Sequence, residues 1–130
     1  MHRSPAQYLA VLGSHDVDAG LLAKAFRLRW PMVFDMVGFK PGRLITGCAD
    51  RGVELAARLA ARDITGQLAV IFHRASFCGT KKAEEILDKL LAQEADALLI
   101  VSTGGKVCTR VRDLFTQKEK RVIEIEIEDN

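Results

Sequence analysis

A chain of 130 residues is sized for one core-forming domain, residues 1–130, and leaves no room for a separate catalytic domain. Nineteen Lys plus Arg against 17 Asp plus Glu give a formal net charge of +2, which excludes a general electrostatic case for nucleic acid. No apolar run approaches the roughly 20 residues needed to cross a bilayer, so no membrane partner is expected.

The opening Met1-His2-Arg3-Ser4-Pro5 lacks the apolar stretch of a secretion signal, and a cytoplasmic setting is expected. Cys48, Cys78 and Cys108 form no C-x-x-C pair and are odd in number, which argues against a disulfide framework.

In chain order, Gln7 to Leu12 is an apolar run ending at Gly13-Ser14, read as a strand. Val17 to Trp30 follows as a helix, with Leu22, Ala25, Phe26 and Arg29 along one stripe. Pro31 to Arg43, with Met32, Val33, Phe34, Met36, Val37 and Phe39 between two prolines, resists the pattern. It is read as an extra strand, a lid or a contact surface, with packing or self-association favoured over ligand contact.

Leu44-Ile45-Thr46 is the second strand, closed by Gly47, and Val53, Ala56, Leu59 and Ala60 recur at helical spacing behind it. Leu68 to Phe72 is the third strand, and Ala83, Ile86, Leu87, Leu90 and Leu91 mark the inner face of its helix. Ala97 to Val101 is the fourth strand, with Val111, Leu114 and Phe115 inside the fourth helix.

The chain closes on Ile123, Ile125 and Ile127 alternating with glutamates, the pattern of a strand with one wet face or of an edge strand protected by charge. Strands alternating with helices predict an α/β fold: a Rossmann-like three-layer sandwich around a mostly parallel sheet of about five strands.

In such a sheet the loops leaving the strand carboxyl ends share one edge, and ligands bind where the strand order reverses. Those loops carry Gly13-Ser14-His15, then Thr46-Gly47-Cys48-Ala49-Asp50-Arg51-Gly52, then His73-Arg74, and last Thr103-Gly104-Gly105-Lys106 with Thr109. Glycines let backbone N–H groups approach an anion, hydroxyls donate to phosphate or ribose, and helix N-termini favour negative charge.

Arg51, Arg74, Lys106 and Arg110 fall on or beside the rim, and Lys81 and Lys82 open the third helix, so a cationic crevice suited to a phosphorylated ligand is expected. Glu54 has two roles open to it: supporting its helix N-terminus or binding a ribose hydroxyl. The ligand-binding candidates are Gly13, Ser14, Gly47, Arg51, Gly52, Glu54, Arg74, Thr103, Gly104, Gly105, Lys106 and Thr109.

Three cysteines and two histidines, His15 and His73, lie near this rim, but no two stand at the close spacing usual for metal ligands, and no metal or other cofactor is expected. A thiol nucleophile at Cys48 or Cys78 with His73 as base is open in principle; an unreactive cysteine is the simpler reading.

Four segments together resemble a known family: Val11-Leu12-Gly13-Ser14-His15-Asp16, Ile45-Thr46-Gly47-Cys48-Ala49-Asp50-Arg51-Gly52-Val53-Glu54, Glu94-Ala95-Asp96-Ala97-Leu98-Leu99, and Gly104-Gly105-Lys106-Val107-Cys108-Thr109-Arg110. They are similar to the SLOG superfamily, which joins the Smf/DprA proteins to the LOG cytokinin-activating hydrolases, and most of all to its small stand-alone YspA-like branch. The resemblance covers nearly the whole chain. It implies a Rossmannoid sheet with a site for nucleotides or nucleotide-derived ligands, its turns mapping onto Gly13 and Ser14, onto Gly47 and Gly52, and onto Gly104, Gly105 and Thr109.

This chain departs from the pattern in that Cys108 stands where the family has a third glycine and Glu54 where it has an aspartate. The glutamate that LOG hydrolases carry after their Gly-Thr is replaced by Arg110-Val111-Arg112-Asp113, leaving Asp113 as the nearest carboxylate.

The expected function is therefore binding of a nucleotide or nucleotide-derived phosphorylated ligand, as sensor or accessory module. The alternatives are LOG-like hydrolysis of a nucleoside monophosphate and single-stranded DNA binding of the Smf/DprA type. One Trp and one Tyr offer few stacking platforms, so nucleic acid is disfavoured as a partner. A homo-oligomer is expected, because the apolar Pro31 to Arg43 segment gives a small domain surface to cover.

Overall fold

Strand and helix alternate through the computed structural model, which describes residues 7–47, 49–72, 81–103 and 108–127. The elements are β1 (Tyr8–Gly13), α1 (Ala19–Val37), β2 (Arg43–Gly47), α2 (Gly52–Thr65), β3 (Val70–Phe72), α3 (Lys81–Glu94), β4 (Ala97–Ser102), α4 (Thr109–Gln117) and β5 (Arg121–Glu126). The strands form one sheet in the order β3-β2-β1-β4-β5, every pairing parallel.

Alternation of side chains across the pleat divides the core in two. Leu9, Val11, Ala97, Leu99 and Val101 face α1 and α2, while Ala10, Leu12, Leu98 and Ile100 face α3 and α4, where Leu91, Val111 and Phe115 lie. Both faces of β1 and β4 are therefore dry, which is why each reads as an unbroken apolar run. A reciprocal pair of bonds sets their start: the Tyr8 amide donates to Asp96 Oδ2 at 2.7 Å and the Asp96 amide to the Tyr8 carbonyl at 2.8 Å.

β5 is an edge strand whose Ile123, Ile125 and Ile127 pack toward α1 and α2 while Glu124 and Glu126 stay exposed. Glu124 Oε1 accepts from Arg112 Nη1 of α4 at 2.9 Å.

Three expectations need correction. Pro31 to Arg43 is neither an extra strand nor a lid, because residues 31 to 37 complete α1, and Gly38 closes it in a left-handed conformation with its amide on the Phe34 carbonyl. Pro31 cannot donate to the Arg27 carbonyl, yet burial of Val33 and Val37 beyond it outweighs that lost bond. The Arg27 side chain also ties this region to α2, donating to Asp63 Oδ2 at 2.6 Å and to the Leu59 carbonyl at 3.0 Å.

The inner stripe of α1 is Ala23, Phe26, Trp30, Val33 and Val37 rather than Leu22, Ala25, Phe26 and Arg29. Apolar residues surround this helix, so periodicity alone does not choose its buried side, and aromatic packing does: Trp30 meets Phe26 and Phe34 edge to face at 6.3 and 5.1 Å. The third correction concerns length and facing elsewhere: β3 starts at Val70 rather than Leu68, and of the apolar positions counted in the strand and helix patterns Leu59, Leu68 and Ile86 are exposed. No helix among the described residues is long and apolar enough to cross a membrane.

Candidate ligand-binding site

Strand order reverses between β1 and β4, and in open parallel sheets ligands bind outside the carboxyl ends of the strands at such a reversal. Gly13, the last residue of β1, pairs with Val101 so closely that a Cβ there would run into the Val101 carbonyl oxygen and the Val53 side chain. Only glycine lets β1, β4 and the start of α2 converge at this point.

Ser14, next in the chain, then bonds to β4, to α2 and to the loop after β4. Its amide donates to the Val101 carbonyl at 3.1 Å, its carbonyl accepts from the Val53 amide at 3.0 Å, and its hydroxyl accepts from the Thr103 amide at 3.2 Å. The Thr103 hydroxyl in turn donates to Asp16, 3.2 and 3.3 Å from the two carboxylate oxygens. The loops after β1 and β4 are thus laced together directly over the reversal.

Helix α2 enters from the side. Gly52 has φ of 68°, and a Cβ on it would strike the Ser14 carbonyl and the His15 backbone, so the left-handed turn and the close approach both require glycine. Two residues on, Glu54 is buried in the first turn of α2, where its charge suits the helix N-terminus. Its Oε2 lies 3.1 Å from His15 Nε2, and its Oε1 lies over Gly47, whose missing side chain makes the space.

The structure therefore gathers Gly13, Ser14, Gly47, Gly52, Glu54 and Thr103 at one end of the sheet. Arg51 is exposed at the N-cap position of α2 and makes no side-chain capping bond, and Thr109 is the half-buried first residue of α4. Arg74, Gly104, Gly105 and Lys106 lie outside the described residues, as do Cys48, His73 and Cys78 and the side chains of Lys81 and Lys82.

Arg110 is not aimed at the rim: it forms an ion pair with Asp88 of α3 at 3.6 Å. Cys108, before α4, has φ of 56°, the left-handed conformation that a glycine would take without strain.

Sequence reasoning placed His15 on the rim but gave no partner to it or to Asp16, and it missed Arg58. Asp16 and His15 acquire their partners across separations of 87 and 39 residues. Arg58 donates from Nη1 to the Gly47 carbonyl at 2.8 Å and from Nη2 to the Ala49 carbonyl, holding the loop that leaves β2. Its position one helical turn beyond Glu54 is the signal that was available.

The described part of the crevice thus carries carboxylates, Asp16 and Glu54, beside hydroxyls and backbone groups. Such a set can accept hydrogen bonds from hydroxyl or amino groups. Among the described residues no three His, Cys, Asp or Glu side chains gather as a metal ion would need. In comparisons with known proteins, no family model, no curated protein and no solved structure matches this chain.

Proposed function

We propose that this chain binds a nucleotide or a nucleotide-derived phosphorylated ligand at the carboxyl edge of its sheet, acting as a sensor or accessory module. The carrying observation is the polar cluster at the β1/β4 reversal, where Ser14 ties together β4, α2 and the loop after β4, and His15 orients the buried Glu54. Glu54 and Asp16 accept from ribose hydroxyls, and the phosphate lies toward Gly104, Gly105 and Lys106. The resemblance to the SLOG superfamily supports the same reading.

The hydrolase alternative has less support. Asp113 is exposed on α4, two positions from the buried Val111 and so on the far side of the helix from the sheet. Single-stranded DNA binding is weakened likewise: Trp30 is buried between two phenylalanines, and Tyr8 opens β1 at the opposite edge of the sheet.

The test is thermal stabilisation of the chain by mononucleotides, dinucleotides and ADP-ribose derivatives. At a ligand concentration 100 times Kd, about 2.7 kcal/mol of stabilisation is expected. Glu54→Gln is expected to remove most of that shift while its own melting stays cooperative. Absence of stabilisation by any of the three ligand groups would sink the reading, and base release from a nucleoside monophosphate would move it to the hydrolase.

A further inference from the structure

We propose that two copies of this chain associate through the outward face of α1, packed antiparallel about a two-fold axis. At about 100° per residue, Leu21, Ala25, Leu28, Met32 and Met36 line up opposite the buried side of the helix. Four of these are large and open to water, Leu21 66%, Leu28 82%, Met32 53% and Met36 37% exposed. The stripe runs about 22 Å. Isolated exposed apolar side chains are ordinary; a continuous row of them along one helix marks an interface.

The flanking charges identify the occupant as a second copy. Lys24 and Asp35, both exposed, border the stripe on the same side and stand equally far from the Arg29–Trp30 peptide, one toward each end. Around a two-fold axis, antiparallel helices present same-side residues to each other in reverse order, so each Lys24 meets the second copy's Asp35. This pairing forms twice. A parallel arrangement would instead set Lys24 against the second copy's Arg29, like charge to like. Self-matching of this kind is what an isologous contact requires, and an unrelated partner has no need of it.

One antiparallel contact is unfavourable. Arg29 borders the other side of the stripe close to the axis, where it meets its own equivalent. With that repulsion and a face one helix wide, the interface sits at the small end of specific contacts, and the dimer comes apart on dilution.

Sedimentation of the full chain over a thousandfold range of concentration tests this. A concentration-dependent dimer is expected, weakened about 100-fold by Leu28→Lys and about 10-fold by Lys24→Asp. Combining Lys24→Asp with Asp35→Lys is expected to restore it, and Arg29→Gln to tighten it severalfold. All four positions are exposed, so circular dichroism and melting are expected to stay close to the parent.

A monomer at every concentration overturns the proposal, as does a dimer indifferent to Leu28→Lys. A dimer that Leu28→Lys weakens but the charge exchange does not rescue overturns the antiparallel geometry. None of these readouts depends on nucleotide binding.

Discussion

The Ser14 hydroxyl and the Thr103 amide, 89 residues apart in the chain, meet at 3.2 Å across the point where the sheet changes direction. This contact closes the floor of the crevice and belongs to neither strand. Replacing Ser14 by Ala removes the acceptor while leaving both backbone bonds of that residue. A loss of about 1 kcal/mol in denaturant unfolding is expected, together with at least about tenfold weaker nucleotide binding. Unchanged binding in a variant of reduced stability would show that the contact serves the fold alone.

Gly13 and Gly20 give opposite responses to the same substitution. Gly13→Ala drives a methyl into the Val101 carbonyl and is expected to cost about 3 kcal/mol. Gly20 lies exposed near the start of α1 with only the Asp18 carboxylate nearby, so Gly20→Ala is expected to stabilise by about 0.5 kcal/mol through helix propensity. Urea unfolding of the two variants side by side checks the contrast.

Trp30 is 4% exposed and, among the described residues, its indole N–H has no partner. An unbonded buried donor offsets part of what the ring contributes by packing. Trp30→Phe is therefore expected to change stability by less than about 1.5 kcal/mol, and Trp30→Ala to cost about 4 kcal/mol. A Phe variant as damaged as the Ala variant would mean that the indole nitrogen is bonded in solution, for which a buried water is the candidate.

Lys120 closes α3 from outside. Its ammonium donates to the Ala92, Gln93 and Ala95 carbonyls at 2.6, 3.3 and 2.7 Å, at the end of the helix where the dipole is negative. Lys120→Met keeps the stem and removes the charge, and about 2 kcal/mol is expected to be lost. Hydrogen exchange should rise first in the last turn of α3; faster exchange confined to β5 would refute the capping role.

Cys108 holds a left-handed backbone that β-branched residues adopt poorly. Cys108→Val is expected to destabilise by about 1–2 kcal/mol, read by thermal unfolding. A neutral outcome would mean that the turn has relaxed.

Elements with two dry faces were legible in the residues, because a strand such as Leu98 to Val101 has no polar positions to blur it. The glycine sites were legible too: Gly13, Gly47 and Gly52 each mark a place where backbone or a carboxylate comes too near for a side chain. The second half of α1 was not, since an internal proline signals a break, and only tertiary burial of Val33 and Val37 overrules it. The pairing of His15 with Glu54, and of Asp16 with Thr103, arises when separate βα units are brought edge to edge, and nothing local in the sequence carries it.

The central position of β1 has a consequence for the newborn chain. β1 can pair with β2 and receive α1 and α2 early, but its other neighbour, β4, begins only at Ala97. Until β4 has been synthesised, one long margin of β1 is an open template for stray β-pairing. Expression at lowered temperature or with a holdase chaperone should raise the yield of properly folded protein more than any change at the mature surface.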